Sequence, residues 1–208
     1  MKIALLGAGG MIGSRIAAEA LARGHEVTAV VRTPGKLAAK HARLKEAQGD
    51  ALSAESIAQV VGGHDAVISA VSAPEQEELL RATAAQIEGV RQARVPRLLV
   101  VGGAGSLEVA PGLQLVDAPD FPAAYKPPAL AHREVLAVYR KTDLDWTYLS
   151  PAAVITPGER TGKFRLGKDQ LVTDAKGESR ISAEDYAVAM IDELEKPRHI
   201  RQRFTLGY

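Results

Sequence analysis

At 208 residues, with 46% hydrophobic and 25% charged side chains, the chain is long enough to bury a sizeable core and too apolar to remain disordered. Lysine plus arginine at 26 against aspartate plus glutamate at 25 leaves a formal charge of +1; with 4% aromatic residues and no long basic block, no nucleic-acid partner is expected. The absence of cysteine excludes disulfides, thiolate metal sites and cysteine nucleophiles.

The chain starts on Lys2-Ile3-Ala4-Leu5-Leu6, an apolar run that breaks into Gly7-Ala8-Gly9-Gly10-Met11-Ile12-Gly13. Lys2 ahead of apolar residues imitates a signal peptide, but the glycines and the charged Arg15, Glu19 and Arg23 argue against one. No run approaches the roughly 20 apolar residues that span a bilayer. The expectation is a cytoplasmic protein with no membrane partner. Ile3 to Leu6 fit a strand buried on both faces of a parallel sheet, and Ile12, Ile16, Ala20 and Leu21 recur at helical spacing up to Arg23.

A helix beginning here leaves backbone N–H groups unpaired and positively polarised, which attracts phosphate oxygens. Gly7 suits the tight turn, Gly10 lets a pyrophosphate approach bare backbone, and Gly13 lets the helix pack on the strand. The cofactor-binding set at this turn is Gly7, Gly9, Gly10, Met11, Ile12 and Gly13. Glycine spacing alone is a weak signal; its place between a first strand and a first helix gives it weight.

Gly24 stops the helix and Glu26 to Val31 read as a second strand. An acid about 20 residues beyond the glycines favours NAD, whereas a cation accommodates the 2′-phosphate of NADP. Arg32 stands there, followed by Thr33 and Lys36, so NADP(H) is expected ahead of NAD(H). Pro34 is expected to open a helix running to about Ala47, with a short third strand before Gly49-Asp50. Asp50, with Ala51 beside it, is either an acceptor for an adenine amino group or a turn residue. Ser53 is a plausible N-cap for a helix over 54–61.

Asp65 to Val71 read as a buried strand, with Ala70 and Val71 in an exit (69–73) expected beside the cofactor ribose. Pro74 is expected to start a helix to about Gln92, and Arg97 to Val101 form the fifth strand, followed by Gly102-Gly103-Ala104-Gly105-Ser106. Strands alternating with helices predict an α/β Rossmann-type doubly wound parallel sheet with its ligand crevice at the strands' carboxyl ends.

The Gly7/Gly10/Gly13 turn, Arg32 with Lys36, Gly49-Asp50, Val100-Val101-Gly102-Gly103 and Leu144-Asp145-Trp146-Thr147-Tyr148-Leu149-Ser150-Pro151 span nearly the whole chain. Together they resemble an atypical short-chain dehydrogenase/reductase of the NAD(P)H-binding group related to NmrA-like proteins, flavin reductases and biliverdin IXβ reductase. The resemblance implies that the last strand and Pro151 run under the nicotinamide, and that a closing helix starts near Ile181 to Ala187.

The Tyr-x-x-x-Lys pair of ordinary members is absent: Tyr125 is followed four residues on by Ala129, Tyr139 by Asp143, Tyr148 by Ala152 and Tyr186 by Met190. The remaining catalytic candidates are Ser106 after the fifth strand, the proline-flanked loop residues Tyr125 and Lys126, and His132 on a helix expected over 129–141. Ser106 is placed to orient a carbonyl or flavin edge or simply to cap a turn, and His132 is of a type that donates protons near neutral pH. With no His-Glu-x-x-His and five scattered histidines, no metal is expected.

Beyond Pro151, residues 154–156 and 163–166 are read as short strands or a hairpin over the crevice, with 170–173 pairing to it. Residues 152–180 form this substrate-side excursion of a single 1–208 domain. Arg160, Lys163, Arg165 and Lys168 give it a basic tint. Ser182 with Asp185 resembles a capping box, Pro197 ends the last helix, and 203–206 form the last strand. The expected activity is hydride transfer from NADPH to a small-molecule acceptor, a flavin or quinone. The competing expectation is an NmrA-like NADP(H) sensor with a protein partner. An epimerase or dehydratase is disfavoured by the absent Tyr/Lys pair.

Overall fold

The computed structural model describes residues 1–73 and 75–208. Its elements run β1 (Lys2–Leu6), α1 (Met11–Ala22), β2 (Glu26–Val31), β3 (Leu44–Gln48), α2 (Ala54–Val61), β4 (Ala66–Ser69), α3 (Gln76–Gln92) and β5 (Leu98–Val101). A small hairpin follows, β6 (Glu108–Ala110) with β7 (Leu113–Gln114), then α4 (Lys126–Tyr139) and β8 (Trp146–Ser150). The chain finishes with β9 (Val154–Thr156), β10 (Arg165–Gly167), β11 (Arg180–Ser182), α5 (Ala183–Glu195) and β12 (Gln202–Gly207).

Eight strands make one sheet in the order β10-β12-β8-β5-β4-β1-β2-β3, parallel throughout except for the edge strand β10. This is the doubly wound α/β sheet of the Rossmann type. The chain moves outward from β1 through β2 to β3, then returns to lay β4 on the opposite side of β1. That reversal sends the helices after β1 and β4, α1 and α3, to opposite faces of the sheet and opens a crevice at the strands' carboxyl ends.

Strand periodicity sorts the core into two layers. Ile3 and Leu5 face α1 and α5 with Ala29, Ile68, Leu149 and Phe204. Ala4 and Leu6 face α2, α3 and α4 with Val67, Val100, Trp146 and Tyr148. Both faces of the parallel sheet are covered, which is why its strands read as unbroken apolar runs.

Several local expectations are corrected. No helix forms over 34–47: Leu44 to Gln48 pair in register with Val27 to Val31, and Gly35 sits at φ +86°. The strand ladder claims the end of the segment and the left-handed glycine breaks its start, leaving too little chain for a stable helix. Leu37 instead folds back, half-buried, toward Gly9. Pro74 lies outside the described residues, and α3 begins at Gln76. The helix expected over 129–141 starts earlier, with Lys126 as its first residue and prolines in its first turn, where a missing N–H costs nothing.

Residues 154–156 and 165–167 are the short strands expected there, but they do not pair with each other as a hairpin, and 170–173 form no strand beside them. β10 adds antiparallel to β12 and shields what would otherwise be the sheet's open edge, β9 pairs in parallel with β11, and Gln170 makes only an isolated bridge to Glu108. The capping box at α5 is half made: the Ser182 hydroxyl accepts from the Asp185 N–H at 3.0 Å, but the Asp185 carboxylate turns away. It accepts instead from the Thr161 hydroxyl, the Gly162 N–H and the Tyr208 hydroxyl at 2.5–2.9 Å. Those three donors tie the 157–163 connection and the chain's end to α5.

Candidate functional site

The crevice is built from glycines that bring main chains into contact. Gly7 adopts φ +80°, and a Cβ there would lie 2.4 Å from the Ala70 carbonyl oxygen, so the exits of β1 and β4 touch only because the residue is bare. A Cβ on Gly13 would lie 2.1 Å from the Gly7 carbonyl oxygen, which places the first turn of α1 directly on the end of β1. Gly10 caps α1 with no side-chain hydrogen bond, and no acid occupies the first turn. The Gly10 N–H donates to the Gly7 carbonyl at 3.1 Å and the Ser14 N–H to the Gly10 carbonyl at 2.9 Å. The intervening N–H groups of Met11, Ile12 and Gly13 have no partner among the described residues. A polarised helix start with free donors beside bare backbone fits a phosphate, as a helix with a side-chain cap would not.

Beside this turn lies a cleft of about 740 Å³, a volume suited to a small-molecule cofactor. One wall is Gly7 to Gly10, a second is Val30 to Arg32, a third is Gly49 to Leu52, and the fourth is Ala70 to Ala73 with Glu78 and Ala82. Gly7, Gly9, Gly10, Arg32, Asp50, Ala51, Ala70 and Val71 therefore share one cavity. Lys36 is exposed on the loop after β2 and does not line it. Met11 is exposed at the helix start, Ile12 packs partly into the core, and Gly13 is buried behind the turn. Pro151 is buried at the exit of β8.

Asp50 takes the turn role of its two expected ones. Its Oδ1 accepts from the Leu52 N–H at 2.9 Å, closing an Asx turn, its Oδ2 has no partner among the described residues, and the residue lines the cleft. Sequence reasoning missed Leu52, Glu78 and Ala82. Glu78 and Ala82 stand four apart on one face of α3, a spacing that could have flagged them once Ala70 and Val71 were placed opposite.

The four catalytic candidates are not brought together. Ser106 is 5% exposed, and its hydroxyl accepts from Arg203 Nη1 at 3.2 Å, with Arg203 in turn paired to Asp169 at 2.5 Å. This buried network joins the β5 exit to β12 and turns the hydroxyl away from the cleft. Tyr125 is 67% exposed on a 3-10 turn, and Lys126 is exposed at the start of α4. His132 is half-buried against Gly103, just beyond β5, where a Cβ on the glycine would meet its Cβ at 2.6 Å.

Burial holds the His132 imidazole below its ordinary pKa, so it is neutral at neutral pH and holds no ready proton to give. Its Nδ1 lies 3.3 Å from the Tyr148 hydroxyl. Tyr139, Tyr148 and Tyr186 are fully buried, and burial pushes each phenol well above the usual tyrosine range. None of these three can lose a proton near neutral pH. Among the described residues no group of three or more metal-ligating side chains occurs, and no helix is long and apolar enough to cross a membrane.

The family described as NAD(P)H-binding matches residues 7–197, from the glycine turn to the end of the last helix. This chain belongs to that family. It is an atypical short-chain dehydrogenase/reductase related to NAD(P)-binding reductases, and its cofactor is a nicotinamide dinucleotide. It is 46% identical over 212 residues to the uncharacterised protein YwnB of Bacillus subtilis (strain 168), covering 99% of this chain and 98% of YwnB. The crystal structure of a candidate epimerase from Bacteroides thetaiotaomicron shares 47% identity and a TM-score of 0.95, covering 100% of this chain and 96% of that one. A candidate NADH-flavin reductase from Streptococcus pneumoniae TIGR4 shares 39% identity and a TM-score of 0.88, covering 100% and 99%.

Proposed function

We propose that this protein is an NADPH-dependent oxidoreductase that passes hydride to a flat conjugated acceptor, a flavin or a quinone. The observation that carries this reading is the pairing of a cofactor-sized cleft at the sheet's switch point with the lack, among the described residues, of a tyrosine–lysine pair beside it. No tyrosine has a lysine four residues on, three of the five tyrosines are buried with raised pKa values, and His132 is neutral. A ketone reductase needs a proton donor at the carbonyl, whereas a flavin or quinone takes its proton from water. The name of the pneumococcal relative supports a flavin. The epimerase reading suggested by the Bacteroides relative is weakened by the same lack of a tyrosine–lysine pair.

The roles of the chain's residues follow from their places. The N–H groups of Met11 and Ile12, with Gly9 and Gly10, hold the pyrophosphate. Asp50 and Leu52 border the adenine, and Arg32, at the mouth between β2 and the Asp50 turn, meets the 2′-phosphate. Ala70 to Ala73 carry the ribose toward the exits of β5 and β8, where Pro151 floors the nicotinamide. The dinucleotide supplies the hydride when bound. The protein aligns donor and acceptor planes.

Oxidation of NADPH, followed by absorbance with a panel of free flavins and quinones, tests the reading; no turnover across the panel refutes it. Cofactor binding without turnover would favour the NADP(H)-sensing alternative, for which the largely exposed Tyr125 ahead of α4 is a ready partner contact.

A further inference from the structure

The Tyr148 hydroxyl stands at the meeting of three elements: β8, which carries it, the glycine exit of β5, and α4. It accepts from the Gly103 N–H at 3.1 Å, lies 3.0 Å from the His132 carbonyl oxygen, and lies 3.3 Å from His132 Nδ1. A phenol has one proton to give and two lone pairs to offer. The carbonyl can only accept, so the phenolic proton goes to it, and the Gly103 N–H takes one lone pair. The remaining lone pair faces Nδ1, and that contact is a hydrogen bond only if Nδ1 carries the imidazole proton. In the opposite tautomer the proton would go to Nδ1 and leave two oxygens 3.0 Å apart with nothing between them. One arrangement satisfies all three contacts and the other forfeits one.

The rest of the ring is accounted for in the same way. Cβ, Cγ and Cδ2 of His132 lie against Gly103, and Nδ1 lies against Tyr148, so the open edge is Cε1 and Nε2. Nε2 has no partner among the described residues and is not sealed from solvent. Gly103 is two residues beyond Val101 of β5, at the carboxyl end of the sheet and outside the lining of the cleft of about 740 Å³.

We infer that Tyr148 is a positioning residue that fixes His132 as the Nδ1–H tautomer, leaving the Nε2 lone pair to accept a hydrogen bond from an N–H or O–H on the hydride acceptor. The tautomer stands on the geometry of this chain alone, while the identity of the donor rests on the proposed reaction. Burial of the imidazole, which keeps it neutral, agrees with an acceptor and not a proton source. The ligand chemistry selected is a flat ring system with a donor on its edge, as in the imide N–H of an isoalloxazine. An acceptor with only carbonyl oxygens at that edge is left facing a lone pair.

The test begins with the unmodified protein. Two-bond ¹⁵N–¹H correlation spectra of histidine-labelled protein, with the His132 signals assigned by their loss in His132→Asn, report directly which ring nitrogen carries the proton. The expected result is a protonated Nδ1 and a bare Nε2 near neutral pH; a protonated Nε2 overturns the inference. In Tyr148→Phe the Nε2–H form should appear, and an unchanged tautomer in a protein of native dispersion overturns the positioning role. Binding of lumiflavin and of its 3-methyl analogue to the NADP⁺ complex reads the acceptor side. Lumiflavin should bind about tenfold more tightly, the scale of one hydrogen bond to a buried group. Equal affinities, or binding of neither, overturn the Nε2 contact. Neither measurement needs turnover, so a failure of the proposed reaction shows separately, as NADPH that is not oxidised.

Discussion

Gly13→Ala puts the contact between α1 and β1 under direct strain. The added Cβ would sit 2.1 Å from the Gly7 carbonyl oxygen and 2.9 Å from its carbon, so α1 must retreat by about 1.3 Å to restore ordinary van der Waals separation. Both obstructing atoms are main chain, and Gly7 is itself pinned because its own Cβ position is taken by the Ala70 carbonyl. The strain cannot be relieved by a rotamer change. Overpacking of this kind costs about 1–3 kcal/mol, which for a chain of this size lowers the melting temperature by about 2–12 °C. Gly10 is the control: a Cβ there meets only the Gly7 oxygen, at 3.4 Å, and its φ of −75° suits any residue. Gly10→Val should therefore melt close to the parent yet bind NADPH at least about tenfold more weakly, because its side chain fills the approach to the helix N-terminus. Melting scans with and without NADPH, together with cofactor titrations, separate the two effects. A Gly13→Ala protein that melts like the parent would refute the packing argument, and undiminished cofactor affinity in Gly10→Val would refute the placement of the pyrophosphate.

Arg32→Asp should weaken NADPH by about tenfold or more while changing NADH far less, since the side chain lines the cleft where a 2′-phosphate would project; equal losses for the two cofactors would show that it does not read the phosphate. Glu19 is 5% exposed on α1, and its carboxyl is held below the ordinary glutamate range by hydrogen bonds from the Arg160 guanidinium and then, against the opposing pull of burial, by those from Arg23. A carboxyl with a depressed folded-state pKa contributes stability above its unfolded pKa and loses it as pH falls through the folded value. The stability of the parent in urea should therefore fall as the pH drops below the ordinary glutamate range, and Glu19→Gln should be less stable at neutral pH with a flatter acid profile. An identical acid profile in the variant would show that other carboxylates govern the loss.

The sheet was legible because its signals are local. Buried parallel strands must be apolar on both faces, so Ile3 to Leu6, Ala66 to Ser69, Leu98 to Val101 and Trp146 to Ser150 announce themselves without reference to their neighbours. The segment over 34–47 misled for the converse reason: its alanines and lysines suit a helix, and only the ladder to β2 decides that Leu44 to Gln48 extend. Residues 163–173 were ambiguous because an edge strand of three residues has little pattern of its own; its partner is β12, some 40 residues further along the chain.

The site divides along the same line. By itself the sequence determined the parts made of main chain: the glycine turn, the helix start that follows it, the small residues at the exit of β4, and the cation after β2. Glycine spacing and strand ends are properties of contiguous residues. Only the tertiary structure decided where the side chains between these landmarks go. It turned the Ser106 hydroxyl into the Arg203–Asp169 network, set Glu78 on the cleft wall, and brought Tyr148 against His132 across 16 residues of chain. A hydroxyl's partner is fixed by which elements pack together, and no local pattern encodes that. For the Gly7 to Gly13 turn, the sequence named the feature, and the close approach of its carbonyl to Gly13 shows physically why glycine has to stand there.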